Sequence, residues 1–361
     1  MNTKLHLESP DGRVEIGLVE ADTRLSLSEL LANRGYPLNT RCGGRGLCAG
    51  CEVNLLEGEL LHSTDGVTVA KGERLRSCQM QLTANDETTV SIPARSLLKH
   101  EPAVVSNFVI NVPWASDPID PEAQFGVAVD IGTTTVALML CDLKTGEVLA
   151  KASAFNSQIR FGEDVLTRIQ MCYQSPESVR ELQRAVTVET IQPLLVKTCT
   201  IAGVELDALG VMTVAANTTM LHLLAAVDPS PLGVHPFTPV FLEHRTYAPA
   251  DLGLTFGNAD SLVHLLPGPA AYVGADLAAG LVATGMLYDE GPVLLVDVGT
   301  NGEIIAKIGD RLVGCATAAG PAFEGAGLTS GSRGVRSAIE RIRLKADPFA
   351  VELDIIGNTS R

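Results

Sequence analysis

The stretch Val127-Ala-Val-Asp-Ile-Gly-Thr-Thr-Thr-Val-Ala-Leu-Met-Leu140 decides the fold: it reads as an apolar strand, a tight turn and a second apolar strand. The same order returns in Val293-Leu-Leu-Val-Asp-Val-Gly-Thr-Asn-Gly-Glu-Ile-Ile-Ala306. We call the two bends acid-Gly-Thr turns. Such a bend directs backbone N–H groups and hydroxyls toward one point, which suits a phosphate, and its carboxylate can hold a hydrated magnesium ion. Each copy continues into a hairpin, which predicts two units of three antiparallel strands.

The two turns supply the candidate residues of a phosphate site. If the units face each other across a cleft, Asp130 and Asp297 lie on opposite sides of one phosphate chain. Two unrelated hairpins would show the same local pattern, because Gly-Thr-Thr also suits an ordinary hairpin turn. The first turn contributes Asp130, Gly132, Thr133, Thr134 and Thr135, and the second contributes Asp297, Gly299, Thr300 and Asn301.

Four cysteines near the N-terminus have the spacing of a metal site. Cys42, Cys48, Cys51 and Cys78 follow the order C-x5-C-x2-C with a fourth cysteine further on. Thiolates hold iron–sulfur clusters, and a closely related spacing serves 2Fe-2S centres. Structural zinc is the alternative, although zinc ribbons use two close cysteine pairs. The other four cysteines lie singly in apolar runs and are predicted to be buried thiols: Cys141, Cys172, Cys199 and Cys315.

Composition excludes several functions. The chain has 361 residues and a formal net charge of −15, which argues against nucleic acid or an anionic membrane as partner. It shows neither a secretory signal pattern nor an apolar run of about 18 residues, so a cytoplasmic location is predicted. The predicted domains are a cysteine-bearing unit at 1–95, a linker at 96–124, a first lobe at 125–288 and a second lobe at 289–361.

The predicted linker has two interpretations. Residues 96–124 hold four prolines and little periodicity, which is typical of a flexible connection. The same residues could instead form a strap docked on the next domain, with Phe108 to Val112 as a strand.

The combination of these features resembles one family, the ATP-dependent reductive activators of corrinoid-dependent enzymes. The resemblance is carried by the cysteine motif, the two acid-Gly-Thr turns, and the segments AANTTMLHLL, YVGADLAAG, LLVDVGTNGEI and ATAAGPAFEGA in that order. It implies an α+β and α/β protein. An N-terminal β-grasp 2Fe-2S ferredoxin domain would precede a ribonuclease H-like ATPase domain of the actin and sugar-kinase type.

The resemblance also implies a reaction and roles for residues. Such activators return corrinoid cobalt(II) to cobalt(I) with ATP, so a corrinoid protein or methyltransferase and a reduced electron donor are the implied partners. The four spaced cysteines match the cluster ligands. Asp130 matches the acid near Mg²⁺, and Asp297 the acid that orients the attacking water. Asn217, Thr218 and Glu324 are assigned to the site only by their places in the quoted segments.

The sequence departs from the family pattern in two places, which keeps other functions open. The linker is too short for the small extra domain that many members carry, and no adenosine-side Gly-Gly motif follows the second turn, so we expect an incomplete second lobe. An electron carrier whose ATPase-like region only docks a partner is the main alternative. A sugar-kinase-like phosphotransferase with an appended cluster is another.

Overall fold

The computed structural model describes residues 4–9, 12–38, 40, 44, 46, 50–70, 72–83, 87–93, 96–97, 123–162, 164–317 and 338–356. Cys42, Cys48, Glu324 and the predicted strand at 108–112 lie outside these residues. The chain divides into two compact units, Met1–His100 and Glu101–Arg361. Among the described residues, no helix combines the length and apolar character needed to cross a membrane.

The first unit is a mixed sheet with one helix packed on it. The sheet has the strand order β2-β1-β8-β3-β6, in which β1 and β8 run parallel and the other neighbours antiparallel. A smaller sheet has the order β5-β4-β7. This is the expected β-grasp arrangement. Its elements are β1 Lys4–Ser9, β2 Gly12–Gly17, α1 Leu27–Asn33, β3 Glu52–Glu57, β4 Leu60–His62, β5 Thr68–Val69, β6 Gly72–Arg76, β7 Met80–Leu82 and β8 Thr88–Ser91.

Helix α1 begins where its sequence provides a cap. The Ser26 hydroxyl accepts a hydrogen bond from the Glu29 amide at 3.3 Å, and the Glu29 carboxylate accepts one from the Ser26 amide at 2.9 Å. This reciprocal pair satisfies N–H groups that the helix itself leaves unbonded. The helix buries Leu27, Leu30 and Leu31 against the sheet.

The second unit begins with a six-stranded sheet of order β11-β10-β9-β12-β14-β13. Its first three strands are antiparallel neighbours, and β12 runs parallel to both β9 and β14. The first predicted three-stranded unit is therefore present. The elements are β9 Phe125–Ile131, β10 Thr135–Asp142, β11 Val148–Phe155, α2 Val165–Gln174, α3 Ser178–Val186, α4 Gln192–Ala202, β12 Leu209–Ala216, α5 Thr218–Leu224, β13 Arg245–Tyr247 and β14 Leu262–Leu265.

The second acid-Gly-Thr turn lies in a sheet of order β15-β16-β17, which is antiparallel throughout as predicted. A separate antiparallel hairpin is formed by β18 and β19. The remaining elements are α6 Ala275–Ala283, β15 Val293–Val298, β16 Gly302–Ile308, β17 Arg311–Thr317, β18 Ile339–Ala346 and β19 Phe349–Ile355.

The isolated cysteines differ in their surroundings. Cys172 and Cys199 are buried in the core of the second unit, as predicted. The prediction was wrong for Cys315, which is exposed, and Cys141 is only partly buried. Cys315 lies in β17, all of whose residues are exposed in the described structure, so an apolar run there does not produce burial.

Replacing Leu138 tests the core of the second unit. Leu138 in β10 is 1% exposed, so Leu138→Ala removes packed methyl groups and leaves a cavity. We expect a free energy of unfolding lower by about 2–5 kcal/mol, measured by urea denaturation. Leu166→Ala is the matched control, because Leu166 is 61% exposed, and should cost less than about 1 kcal/mol. Equal losses in the two variants would contradict the assigned core.

Candidate functional site

The carbonyl groups of the first acid-Gly-Thr turn accept hydrogen bonds from residues inside the lobe. The Asn156 side-chain amide donates to Gly132 O at 3.0 Å, and the Asn156 backbone amide donates to Thr134 O at 2.8 Å. Between them, the guanidinium of Arg168 donates to Thr133 O at 2.6 Å. In a trans peptide the N–H points opposite to the C=O. The amides of Thr133 and Thr134 therefore face away from these buried partners, as an anion-binding turn requires.

Arg168 connects this turn to the elements around it. The side chain is fully buried, and its other hydrogen bonds reach Gly162 O at 2.9 Å and Gln158 Oε1 at 2.9 Å. A further contact reaches Met220 Sδ at 3.2 Å. Sequence reasoning missed this residue, because an arginine in an amphipathic helix is normally solvent-exposed.

Asn217 joins the turn to the next strand–helix junction. Its Oδ1 accepts from the Met220 amide at 3.0 Å and so caps α5, while its Nδ2 donates to Thr133 Oγ1 at 3.3 Å. Gly274 approaches the same junction so closely that a Cβ there would lie 2.5 Å from Asn217 Cα. This approach brings the start of α6, with Asp276, to the site. The Thr218 hydroxyl donates a hydrogen bond to the Ala270 carbonyl at 3.0 Å.

The structure brings the two acid-Gly-Thr turns together. Thr134 Oγ1 and Thr300 Oγ1 lie 3.4 Å apart, although 166 positions separate them in the chain. Asp297 lies near enough to Asp130 to raise its pKa. Gly299 and Asn301 complete the second turn, where a Cβ on Gly299 would lie 3.2 Å from Asn301 O. The two turns thus form opposite walls of one cleft, as the facing-unit interpretation requires.

Four carboxylates surround this cleft, of which two were missed by the sequence interpretation. Asp130 is solvent-exposed as a residue, yet desolvation by the surrounding protein, followed by Asp276 and Asp297, raises its pKa to about 6. Burial and the same two neighbours raise the pKa of Glu303 to about 7, and burial raises that of Asp276. Glu303 follows the second turn within β16. Its closeness to the other acids depends on tertiary packing.

The acids of the cleft suit a hydrated cation better than a directly ligated one. In the part of the chain that the structure describes, no group of three or more His, Cys, Asp or Glu side chains is arranged to hold a metal ion. Mg²⁺ usually keeps several water ligands and binds through one or two carboxylates together with substrate phosphates. The residues present therefore fit a magnesium ion that arrives with a polyphosphate.

Two of the four predicted cluster ligands lie within the described residues, and they meet. Cys51 is fully buried, Cys78 is 7% exposed, and their thiols share a hydrogen bond. That bond lowers the pKa of Cys51 to about 6 and, together with burial, raises the pKa of Cys78. Two adjoining buried sulfurs, with a thiolate favoured on one, are a donor set that fits a 2Fe-2S centre.

The Gln79 side chain holds the cysteine loop against Cys78. Its Nε2 donates to Gly44 O at 2.8 Å and approaches Cys78 Sγ at 3.8 Å. Gly46, at φ +72°, lies directly over this amide, and a Cβ on it would be 2.9 Å from Gln79 Cδ. A side chain at position 46 would therefore displace the Gln79 amide, and the left-handed backbone there also favours glycine.

His222 belongs to the core of the second unit. It is fully buried, its Nδ1 lies 2.7 Å from Thr218 O, and its Nε2 accepts from the Val240 amide at 3.0 Å. These partners assign the proton to Nδ1. Burial lowers the pKa of the ring, and Phe241 stacks on it at 4.4 Å between centroids. The ring thus fastens α5 to the following loop.

The raised pKa of Asp130 predicts a pH-dependent stability. The folded chain holds this proton with a pKa of about 6 instead of 3.8, so stability falls as the pH rises from about 4 to about 6. Asparagine does not ionise. In the absence of divalent cations, the unfolding temperature of Asp130→Asn should therefore rise relative to that of the wild type between about pH 4 and about pH 6. The difference between the two unfolding temperatures should persist at about pH 8.

Thermal unfolding followed by circular dichroism checks this expectation. Asp310→Asn is the matched control, since Asp310 lies on the exposed turn between β16 and β17. A difference between Asp130→Asn and the wild type that stays constant over the whole pH range would contradict the electrostatic crowding of the cleft.

Comparison with known families covers most of the chain. Residues 11–83 match the 2Fe-2S iron-sulfur cluster binding domain, residues 125–289 match the RACo middle region, and residues 291–361 match the C-terminal domain of RACo, the ASKHA domain. The first match supports the 2Fe-2S interpretation of the cysteine motif over zinc.

Individual relatives give the same assignment. The corrinoid activation enzyme RamQ of Eubacterium limosum is 29% identical over 96% of this chain and 68% of its own length. A [Co(II) methylated amine-specific corrinoid protein] reductase of Methanosarcina barkeri is 27% identical over 58% of this chain and 38% of its own. The solved structure of a reductive activator for corrinoid,iron-sulfur protein superposes with a TM-score of 0.61 at 26% identity, covering 99% of this chain and 69% of that chain. The chain thus combines a 2Fe-2S domain, a RACo middle region and the C-terminal ASKHA domain of RACo, and it is homologous to corrinoid activation enzymes and reductive activators.

Proposed function

We propose that this protein is a reductive activator that transfers an electron to a corrinoid protein and uses ATP to drive the transfer. The proposal rests on the combination of two sites in one chain. Two acid-Gly-Thr turns face each other and are in contact at Thr134 and Thr300. The β-grasp unit brings Cys51 and Cys78 together. Its relatives carry names of corrinoid activation enzymes and reductases.

The first unit serves the redox half of the reaction. Cys42, Cys48, Cys51 and Cys78 are the proposed ligands, and the 2Fe-2S group that they hold supplies single electrons. A reduced donor gives one electron, which passes on to convert corrinoid cobalt(II) to cobalt(I). The protein's residues keep the sulfurs in a dry and fixed position: Gln79 ties the loop at Gly44, and Gly46 permits the close approach.

The cleft serves the nucleotide half. The amides of Thr133 and Thr134 and the hydroxyls of both turns are placed to bind phosphate oxygens, with Gly132, Thr135, Gly299, Thr300 and Asn301 completing the two turns. Asp130 would hold the magnesium ion that accompanies the phosphates, and Asp297 would orient the water that attacks the terminal phosphate. The products are ADP and phosphate.

ATP is needed because of the redox energies. A ferredoxin-type centre at about −400 mV is too weakly reducing for a cobalt couple that lies at more negative potential. Nucleotide binding or hydrolysis can supply the difference only if it favours one conformation or complex over another. Equal rates of electron transfer with and without ATP would instead support a 2Fe-2S electron carrier whose ATPase-like region only docks a partner. A reduced electron donor as partner, a cytoplasmic location, and the lack of nucleic acid or membrane partners stay predictions.

An anaerobic assay of cobalt(I) formation tests the ATP requirement. The reduced protein is mixed with a corrinoid protein in the cobalt(II) state, with and without Mg-ATP, and cobalt(I) is followed by visible absorption. We expect Asp297→Asn to lower the ATP-dependent rate by about 10²-fold or more, because the attacking water loses its orienting acid. Asp310→Asn, in the hairpin that follows, should keep the wild-type rate. A wild-type rate that does not change with ATP would overturn the ATP-dependent function and leave the carrier.

Cysteine variants test the redox half separately. Cys78→Ser removes one sulfur of the buried pair, so the purified variant should lose most of its iron and sulfide and its reduced-cluster paramagnetic resonance signal. Cys172→Ser, a buried cysteine of the second unit, should keep all three. Full iron content in Cys78→Ser would remove this cysteine from the ligand set.

A further inference from the structure

The charge around the cysteine motif is opposite to that of the chain as a whole. The segments 41–51 and 71–79, which carry the four cysteines, hold five basic residues and one acidic residue. The rest of the first hundred residues holds six basic and twelve acidic ones, and the whole chain carries −15. The basic residues are thus concentrated in the two segments that carry the proposed cluster ligands.

The structure places two of these arginines on the surface of the strand that leads to Cys78. Both Arg74 and Arg76 are exposed and belong to β6, which is an edge strand of the sheet and ends two positions before Cys78. Arg76 donates to the carbonyl of Gly46, in the loop that Gln79 ties down. Its charged end therefore lies directly against the cysteine loop.

Arg74 is held in an unusual conformation that keeps its side chain outside. Its backbone has φ +59°, a left-handed value that is unfavourable for a residue with a side chain. The strand shifts register here between Val53 and Leu55, as in a β-bulge, which re-aims a side chain. The Arg74 amide donates to Asn54 Oδ1 at 3.0 Å, and its Nε lies 3.2 Å from Glu52 Oε2. The Arg74 side chain remains 59% exposed.

We infer that Arg74 and Arg76 form a positively charged approach surface beside the cluster, fitted to a redox protein with acidic residues around its own redox centre. The inference rests on the proposed 2Fe-2S function. Electron transfer requires close approach to the buried sulfurs, and a partner that comes to this edge meets the two arginines first. On an acidic protein, such a surface orients an acidic partner by attraction here and repulsion elsewhere.

Small oxidants of opposite charge test this surface without the natural partner. The dithionite-reduced and desalted protein is mixed anaerobically with trianionic tris(oxalato)cobaltate(III) or tricationic tris(ethylenediamine)cobalt(III). Each cobalt(III) ion takes one electron from the reduced cluster, and reoxidation is followed by stopped-flow visible absorption. The quantity compared is the ratio of the anion rate to the cation rate at low ionic strength.

We expect Arg74→Gln and Arg76→Gln each to lower this ratio by about tenfold, because one positive charge near the cluster changes each encounter rate by roughly threefold in opposite directions. Arg76→Lys keeps the charge and should keep the ratio. Arg13→Gln is the matched control, since Arg13 is 63% exposed in β2, the opposite edge strand of the same sheet. Its ratio should remain that of the wild type.

The outcomes separate this inference from the proposed function. An unchanged ratio in both glutamine variants, or an equal fall in Arg13→Gln, would overturn the approach surface while the cluster itself stands. A wild-type protein without iron or a visible spectrum would overturn the proposed redox function. If a glutamine variant loses its cluster, the wild-type protein still tests the inference. Added salt should lower its rate of reoxidation by the anionic complex and raise its rate of reoxidation by the cationic complex. The opposite salt dependence would overturn the inference.

Discussion

The carbonyl groups of the first acid-Gly-Thr turn are bonded from inside the lobe, and the rest of the nucleotide site depends on this constraint. A carbonyl turned toward the cleft would repel a phosphate, whereas one bonded by Asn156 or Arg168 presents the neighbouring N–H instead. Arg168 also contacts the polar loop before α2 and Met220 of α5. One buried guanidinium thus sets the positions of three segments, and its charge polarises the peptide that faces the phosphate.

The second wall of the cleft repeats the first in sequence but not in surroundings. The first turn belongs to a six-stranded sheet with a large core, whereas the second belongs to the three-stranded sheet, most of whose described residues are exposed. A hydroxyl contact such as that between Thr134 and Thr300 contributes about 1 kcal/mol. The first turn thus lies on the well-buried sheet, and the Thr134–Thr300 contact joins it to the less buried sheet that carries Asp297 and Glu303.

Local patterns predicted much of this structure, and tertiary contacts explain the rest. The apolar runs on both sides of the first acid-Gly-Thr turn identified β9 and β10, and the segment AANTTMLHLL singled out Asn217, which caps α5 in the structure. Arg168 was missed because its burial depends on carbonyls that are distant in sequence. Glu303 was missed because a strand with one acid usually turns that acid to solvent. The boundaries at residues 95, 124 and 288, and the roles of the site residues, stay predictions.

The carboxylates of the cleft have a consequence for the form in which a nucleotide is accepted. Burial first, and then the neighbouring carboxylates Asp276 and Asp297, raise the pKa values of Asp130 and Glu303, and burial followed by Asp297 raises that of Asp276. A bare nucleotide would add further negative charge to this crowded region, and a bare cation would lack the phosphate oxygens that complete its coordination. Under the proposed function, the cleft would therefore bind metal and polyphosphate together in preference to either one alone, so that free magnesium would set how much of the ATP the protein can bind.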